Sequence, residues 1–358
     1  MALDLKLIKF SGIAKAASSP RRAVFVRMAA LLLMLAFSLA GVERKSFAAA
    51  DQTPGSAYSV VITGLGGEPD YDKLIQGWGR DLYTALKKNS VSEDHVFWLA
   101  AKKEPGVYAE SREEQIRKLF DTLAARIEPA DAFHLFLVGH GSFDDYDYRF
   151  NLPGPDLTAA QFNDLLGRVR AERQLVVNMT SSSGASLVPL RRKGRVIMTA
   201  TSAGRERNFS QFARYFIEAL QDPAADADKN QEVTALEAFR FANREVARFY
   251  QTATRLATEH AMIEDKGEGE GVREPGPENG EGLLAASTVL VRFGEQQAAA
   301  DTPEAKALRA SKRSLEEQIE ALKYRKASMP AQEYSAQLEK LLLALSRTEQ
   351  QLERLEKK

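Results

Sequence analysis

Six short apolar runs alternating with stretches of helical spacing constrain this chain more than any other feature. The runs are YSVVITG (58–64), HVFWLA (95–100), FHLFLVG (133–139), QLVVNM (174–179), RVIMTAT (195–201) and STVLVRF (287–293). Between them, 70–88, 111–127, 158–170, 208–220 and 233–260 carry apolar residues at helical intervals; Ile116, Leu119, Phe120 and Leu123 share one face. Strands alternating with helices build βαβ units, and right-handed crossovers put the helices on both sides of a parallel sheet. The pattern predicts a three-layer α/β/α domain over 56–296 around a mainly parallel six-stranded sheet.

Composition narrows the chemistry. With 358 residues, 44% of them hydrophobic, the chain can bury an ordinary core and still carry an extension. Lysine plus arginine equals aspartate plus glutamate at 49 each, so no global field draws the protein to nucleic acid or an anionic membrane. The absence of cysteine excludes disulfides, thiolate metal sites and thiol catalysis together. The histidines are His95, His134, His140 and His260.

The two ends read differently from the middle. Residues 1–27 carry a basic excess, and MAALLLMLAFSLAGV (28–42) is short for a membrane span and precedes an A-x-A site at Ala48-Ala49-Ala50. Residues 1–50 therefore read as a signal peptide, giving an exported protein, periplasmic or secreted; the alternative is an uncleaved anchor. At the other end, 301–358 turns to alanine, glutamate, lysine, leucine and arginine. Thr302-Pro303-Glu304 starts a helix and Ser328-Met329-Pro330 breaks it. Leu308, Leu315, Ile319 and Leu322, then Tyr334, Leu338, Leu341, Leu345, Thr348, Leu352 and Leu355, recur at coiled-coil intervals. The expectation is a helical hairpin or coiled coil for self-association, with a helical appendage folded back on the domain as the alternative. The segment DKGEGEGVREPGPENGEG (265–282) reads as a long loop.

Ligands and catalytic groups in open parallel sheets collect beyond the carboxyl ends of the strands. LFLVGHGS (135–142) brings His140 to one such end, and VVNMTSSSG (176–184) brings a serine run to the next. The two motifs resemble those of caspase-like and legumain-like cysteine peptidases: a strand ending in histidine-glycine, then a strand ending in small residues, the nucleophilic cysteine, one residue and serine-glycine. Aligning Ser183-Gly184 on that final pair places Ser181 where the family has its cysteine. The VVITGLGG opening strand and the EHAMIEDKGEGEG segment extend the likeness across the α/β domain. The resemblance implies a caspase-like fold, His140 as base, the Gly141 N–H as oxyanion donor, and a cleft lined by Ser182, Ser183, Gly184, Asp144 and Asp145.

The departure from the family matters as much. A serine hydroxyl is far harder to deprotonate than a thiol and needs a base held by a third group. Asp144, Asp145 and Asp147 follow His140 and are the candidate orienters. Other readings of the same residues are simpler: His140 bonded to the NLPGPD loop (151–156), Ser181–Ser183 capping a following helix, His95 and His134 packed in or beside strands, and His260 solvated on a polar helix face.

DADKNQEVTALE (226–237) sets Asp226, Asp228, Asn230, Glu232, Thr234 and Glu237 at the oxygen positions of a calcium loop, but with Gln231 where that loop needs glycine. A capping box of Thr234 and Glu237 explains the same residues without metal and is the preferred reading. The sequence thus predicts an exported peptidase homologue, without peptidase activity or cofactor, that binds a peptide or protein partner, not nucleic acid, and forms homo-oligomers through its tail. A Ser181–His140 hydrolase and a scaffold acting through its coiled coil are the alternatives.

Overall fold

The computed structural model describes residues 55–89, 92–293 and 302–356; the signal-peptide reading lies outside them. In chain order the domain contains β1 (Ala57–Thr63), α1 (Pro69–Lys88), β2 (Val96–Ala100), β3 (Ala109–Glu110), α2 (Glu113–Arg126) and β4 (Ala132–Val138). Then come β5 (Gly141–Phe143), β6 (Tyr148–Phe150), β7 (Leu157–Thr158), α3 (Ala159–Arg168), β8 (Arg173–Asn178), α4 (Leu187–Leu190) and β9 (Arg195–Thr199). The last part holds α5 (Phe212–Ala219), β10 (Glu232–Thr234), α6 (Ala235–Thr252), β11 (Met262–Glu264), α7 (Leu283–Ala286), β12 (Val289–Arg292), α8 (Pro303–Arg325) and α9 (Ala331–Glu356).

The central sheet runs β11-β9-β8-β4-β1-β2-β3. All its pairings are parallel except β11 on β9. Successive side chains of a strand point to opposite faces, and the strands use both. Val60, Ile62, Leu135, Leu137, Val176 and Ile197 pack under α2 and α3, whereas Val61, Trp98, Phe136, Val138 and Val177 pack under α1, α5 and α6. Helices on both sides of a mostly parallel sheet follow from strands that are apolar on both faces.

The six-stranded count needs correction. Five of the six apolar runs pair in this sheet, and β3 and β11 extend it to seven strands. The run at 287–293 leaves it: β12 pairs antiparallel with β10 in a separate ribbon, because β11 already occupies the outer edge of β9. A third small sheet, β5-β6-β7, sits just beyond the β4 tip. The helix expected over 233–260 stops at Thr252. Its start is fixed by a reciprocal bond pair in which Thr234 accepts the Glu237 N–H and Glu237 accepts the Thr234 N–H.

The tail is a pair of helices separated at Pro330. Thr302 caps α8 by accepting the Ala305 N–H, with Pro303 in the first turn. Ile319, Leu322 and Leu352 are buried, and Lys312 Nζ lies 3.6 Å from Glu349 Oε1 across the two helices. The Tyr324 hydroxyl donates to the Glu281 carbonyl at 2.8 Å, tying α8 to the loop of the α/β domain. No described helix is long and apolar enough to cross a membrane.

Candidate functional site

Parallel pairing of β4 with β8, with Leu137 opposite Asn178, puts the two predicted tips side by side. The His140 Nδ1 lies 2.8 Å from Ser181 Oγ. Ser181 Oγ also sits 2.9 Å from the Gly141 carbonyl and accepts the Gly141 N–H at 3.2 Å. A hydroxyl has one proton, so two arrangements compete. When Ser181 donates to His140, the ring is a base; when it donates to Gly141, the Nδ1–H of His140 donates to the serine and the ring is not. Burial alone pushes the His140 pKa below its ordinary value, which favours the neutral ring over the protonated one.

Gly141 is required by close approach. A Cβ there would fall 2.5 Å from the Ser181 carbonyl oxygen and 2.6 Å from Thr180 Oγ1. Beneath this contact the Tyr148 hydroxyl lies 2.7 Å from Thr180 Oγ1 and 3.1 Å from Asn178 Oδ1, and Asn178 Nδ2 donates to Ser186 Oγ. Such a satisfied buried network fixes one geometry.

The serines that follow do not cap a helix, contrary to the simpler expectation. Ser182 adopts the left-handed backbone with φ 57°, and its N–H donates to the Glu206 carbonyl at 2.8 Å. Its hydroxyl is buried without a hydrogen-bond partner. Ser183 Oγ accepts the Thr201 N–H at 3.1 Å, and the Gly184 N–H donates to Thr201 Oγ1 at 2.8 Å. The turn is therefore locked against the tip of β9, where a Gly184 Cβ would collide with the Ala203 nitrogen at 2.3 Å.

None of the three aspartates holds the imidazole. Asp144 pairs with Arg149 and accepts the N–H groups of Tyr146 and Asp147, which hold its carboxyl well below the usual range. Asp145 lies 3.5 Å from Arg205, and Asp147 lies 3.8 Å from Arg149. The NLPGPD loop meets His140 through backbone only, the Asn151 N–H donating to the His140 carbonyl. Among the described residues, no carboxylate pairs with His140.

One residue escaped the sequence reading and another was misjudged by it. Glu206, beyond β9, accepts the Ser202 N–H, the Ser202 hydroxyl and the His260 N–H, and its Oε1 lies 2.6 Å from His260 Nδ1. His260 thus has a carboxylate partner and sits past the end of α6, which corrects the solvated-helix expectation. Nothing in TSAGRER marks Glu206 beforehand, since its role depends on strands meeting from distant segments. His134 and His95 are buried, as packed residues should be.

At 226–237 the calcium-loop oxygens do not all converge. Asp226, Asp228 and Glu237 bring carboxylate oxygens within 4.8 Å of one another. Glu232 instead pairs with Arg292 at 2.7 Å, and Asn230 accepts the Glu232 N–H. Glu237 serves the cap, and burial together with Glu237 and Asp226 pushes the Asp228 pKa up to about 6.

The arrangement at the tips can accept and donate a proton over one short contact, while the Gly141 N–H is engaged by the Ser181 hydroxyl. No protein-family model and no curated protein matches the sequence.

Proposed function

We propose that the chain is a caspase-like or legumain-like peptidase homologue, exported through its amino-terminal segment, whose cleft at the β4 and β8 tips binds a peptide segment or a protein terminus without cleaving it. One observation carries the silent reading: Ser181 Oγ is bound by both the N–H and the carbonyl of Gly141, while His140 pairs with no carboxylate among the described residues. The Gly141 donor needed for an oxyanion is spent on the resting hydroxyl. Among the described residues the base has no third group to set its tautomer, and a serine depends on that far more than a thiolate. Ser181 is only 1% exposed, which favours a structural clasp. The motif order, the adjacency of the tips and the three-layer architecture support the family reading.

A serine-dependent hydrolase is the second reading, and the 2.8 Å contact between His140 and Ser181 favours it. Selection of a random peptide library on the immobilised chain separates the two. Silent binding yields intact peptides whose retention is lost in Tyr146→Ala, since Tyr146 is a 90% exposed aromatic in the β5–β6 turn that follows His140 in the chain. Cleaved peptides, or no retained peptides, oppose it. The tail would add assembly: deleting 301–358 should lower the sedimentation coefficient to that of a monomer, and an unchanged oligomeric state opposes that role.

A further inference from the structure

A cavity of about 540 Å³ lies at the opposite end of the same strands from His140 and Ser181, bounded by the starts of β1, β4 and β8, by β12 and by α8. Its floor is Ser59 and His134, partners across the β1–β4 register whose Oγ and Nδ1 are 3.4 Å apart. Leu86, Val96 and Leu290 give it an apolar wall. Arg173, Arg292, Arg309 and Arg313 also line it, against the single lining carboxylate of Glu317.

These cations are unevenly satisfied. Glu232 takes Arg292 at 2.7 Å but reaches Arg313 only at 4.0 Å. The Arg313 side chain is 38% exposed, but its Nε is covered and has no hydrogen-bond partner. Arg173 is exposed at the start of β8, lies close enough to His134 to disfavour its protonation and forms no ion pair with a described residue. A buried guanidinium nitrogen without an acceptor is costly, and the planar fork of arginine fits carboxylate and phosphate oxygens in the same way. An apolar chamber of this size with a few converging polar groups is the ordinary form of a small-molecule site.

We propose that this cavity binds a small amphiphilic oxyanion, with a carboxylate or phosphate head held by Arg173 and Arg313 and a short apolar body against Leu86, Val96 and Leu290. Because α8 supplies Arg313, the ligand joins the tail to the sheet. This site is independent of the strand-tip cleft.

The full chain is titrated calorimetrically with octanoate, octyl phosphate and octyl glucoside. At least one of the two anions binds saturably at one to one, and the tighter of them identifies the head group; the neutral glucoside does not bind. Arg173→Gln and Arg313→Gln each weaken the anion by about tenfold or more. Failure of both anions to saturate, equal binding of the glucoside, or unchanged affinity in both folded variants overturns the proposal. Thermal unfolding checks the fold of each variant. Should a variant unfold, sodium chloride decides with the native chain: affinity falling with salt supports the arginine contacts, and salt-independent binding overturns them.

Discussion

His140 Nδ1 and Ser181 Oγ lie 2.8 Å apart at the tips of two paired strands, joined through a hydroxyl that also touches both backbone groups of Gly141. The contact depends on nothing more local than the register of β4 on β8, and the chemistry depends on which acceptor receives one proton. A thiol in the same place would lose its proton to the ring far more readily.

Ser181→Cys should therefore uncover the base. The variant is expected to react with iodoacetamide at neutral pH about tenfold faster than the double variant that also carries His140→Ala, because a neighbouring histidine raises the thiolate fraction. Equal rates would mean that the ring faces the serine without acting on it.

Gly141→Ala forces a methyl group onto the Ser181 carbonyl and Thr180 Oγ1, both within 2.6 Å of the new carbon. Overpacking of this kind costs about 1–3 kcal/mol, and more where backbone must move. Urea unfolding should show a loss of at least that size, and a midpoint equal to that of the native chain would contradict the clasp.

His134 supplies a pH dependence of definite sign. Burial, with Arg173 adding to it, lowers its pKa from 6.5 to about 4. Between those values the unfolded chain binds more protons than the folded one, so the contribution is present above pH 6.5 and is lost as pH falls toward 4. The shift corresponds to about 3 kcal/mol. His134→Gln should flatten the stability profile in that window when both chains are unfolded in urea at each pH. An unchanged slope would remove His134 from the acid response.

The layers of the fold were legible because apolar periodicity is a local signal. Val60, Val61 and Ile62 cannot all be satisfied on one face, and the sequence around them shows helices for both. The edge strands were not legible, since Ala109–Glu110 and Met262–Glu264 are too short to show a period. The 287–293 run was legible as a strand but not in its partner, which β11 decides by taking the edge of β9. At the site, the His140–Ser181 pairing followed from two motifs on adjacent tips. Proximity in sequence did not bring the three aspartates to the imidazole, because Arg149 pairs with Asp144 and Asp147 and Arg205 with Asp145. Glu206 and the arginine-lined cavity arise from segments far apart in the chain, which no local pattern registers.

Intact-mass spectrometry of the full chain after treatment with a fluorophosphonate tests the silent site most directly. A serine held by Gly141 beside an unoriented base predicts no adduct at Ser181 at neutral pH. A stoichiometric adduct on Ser181 that disappears in His140→Ala would contradict that reading and establish a working serine nucleophile.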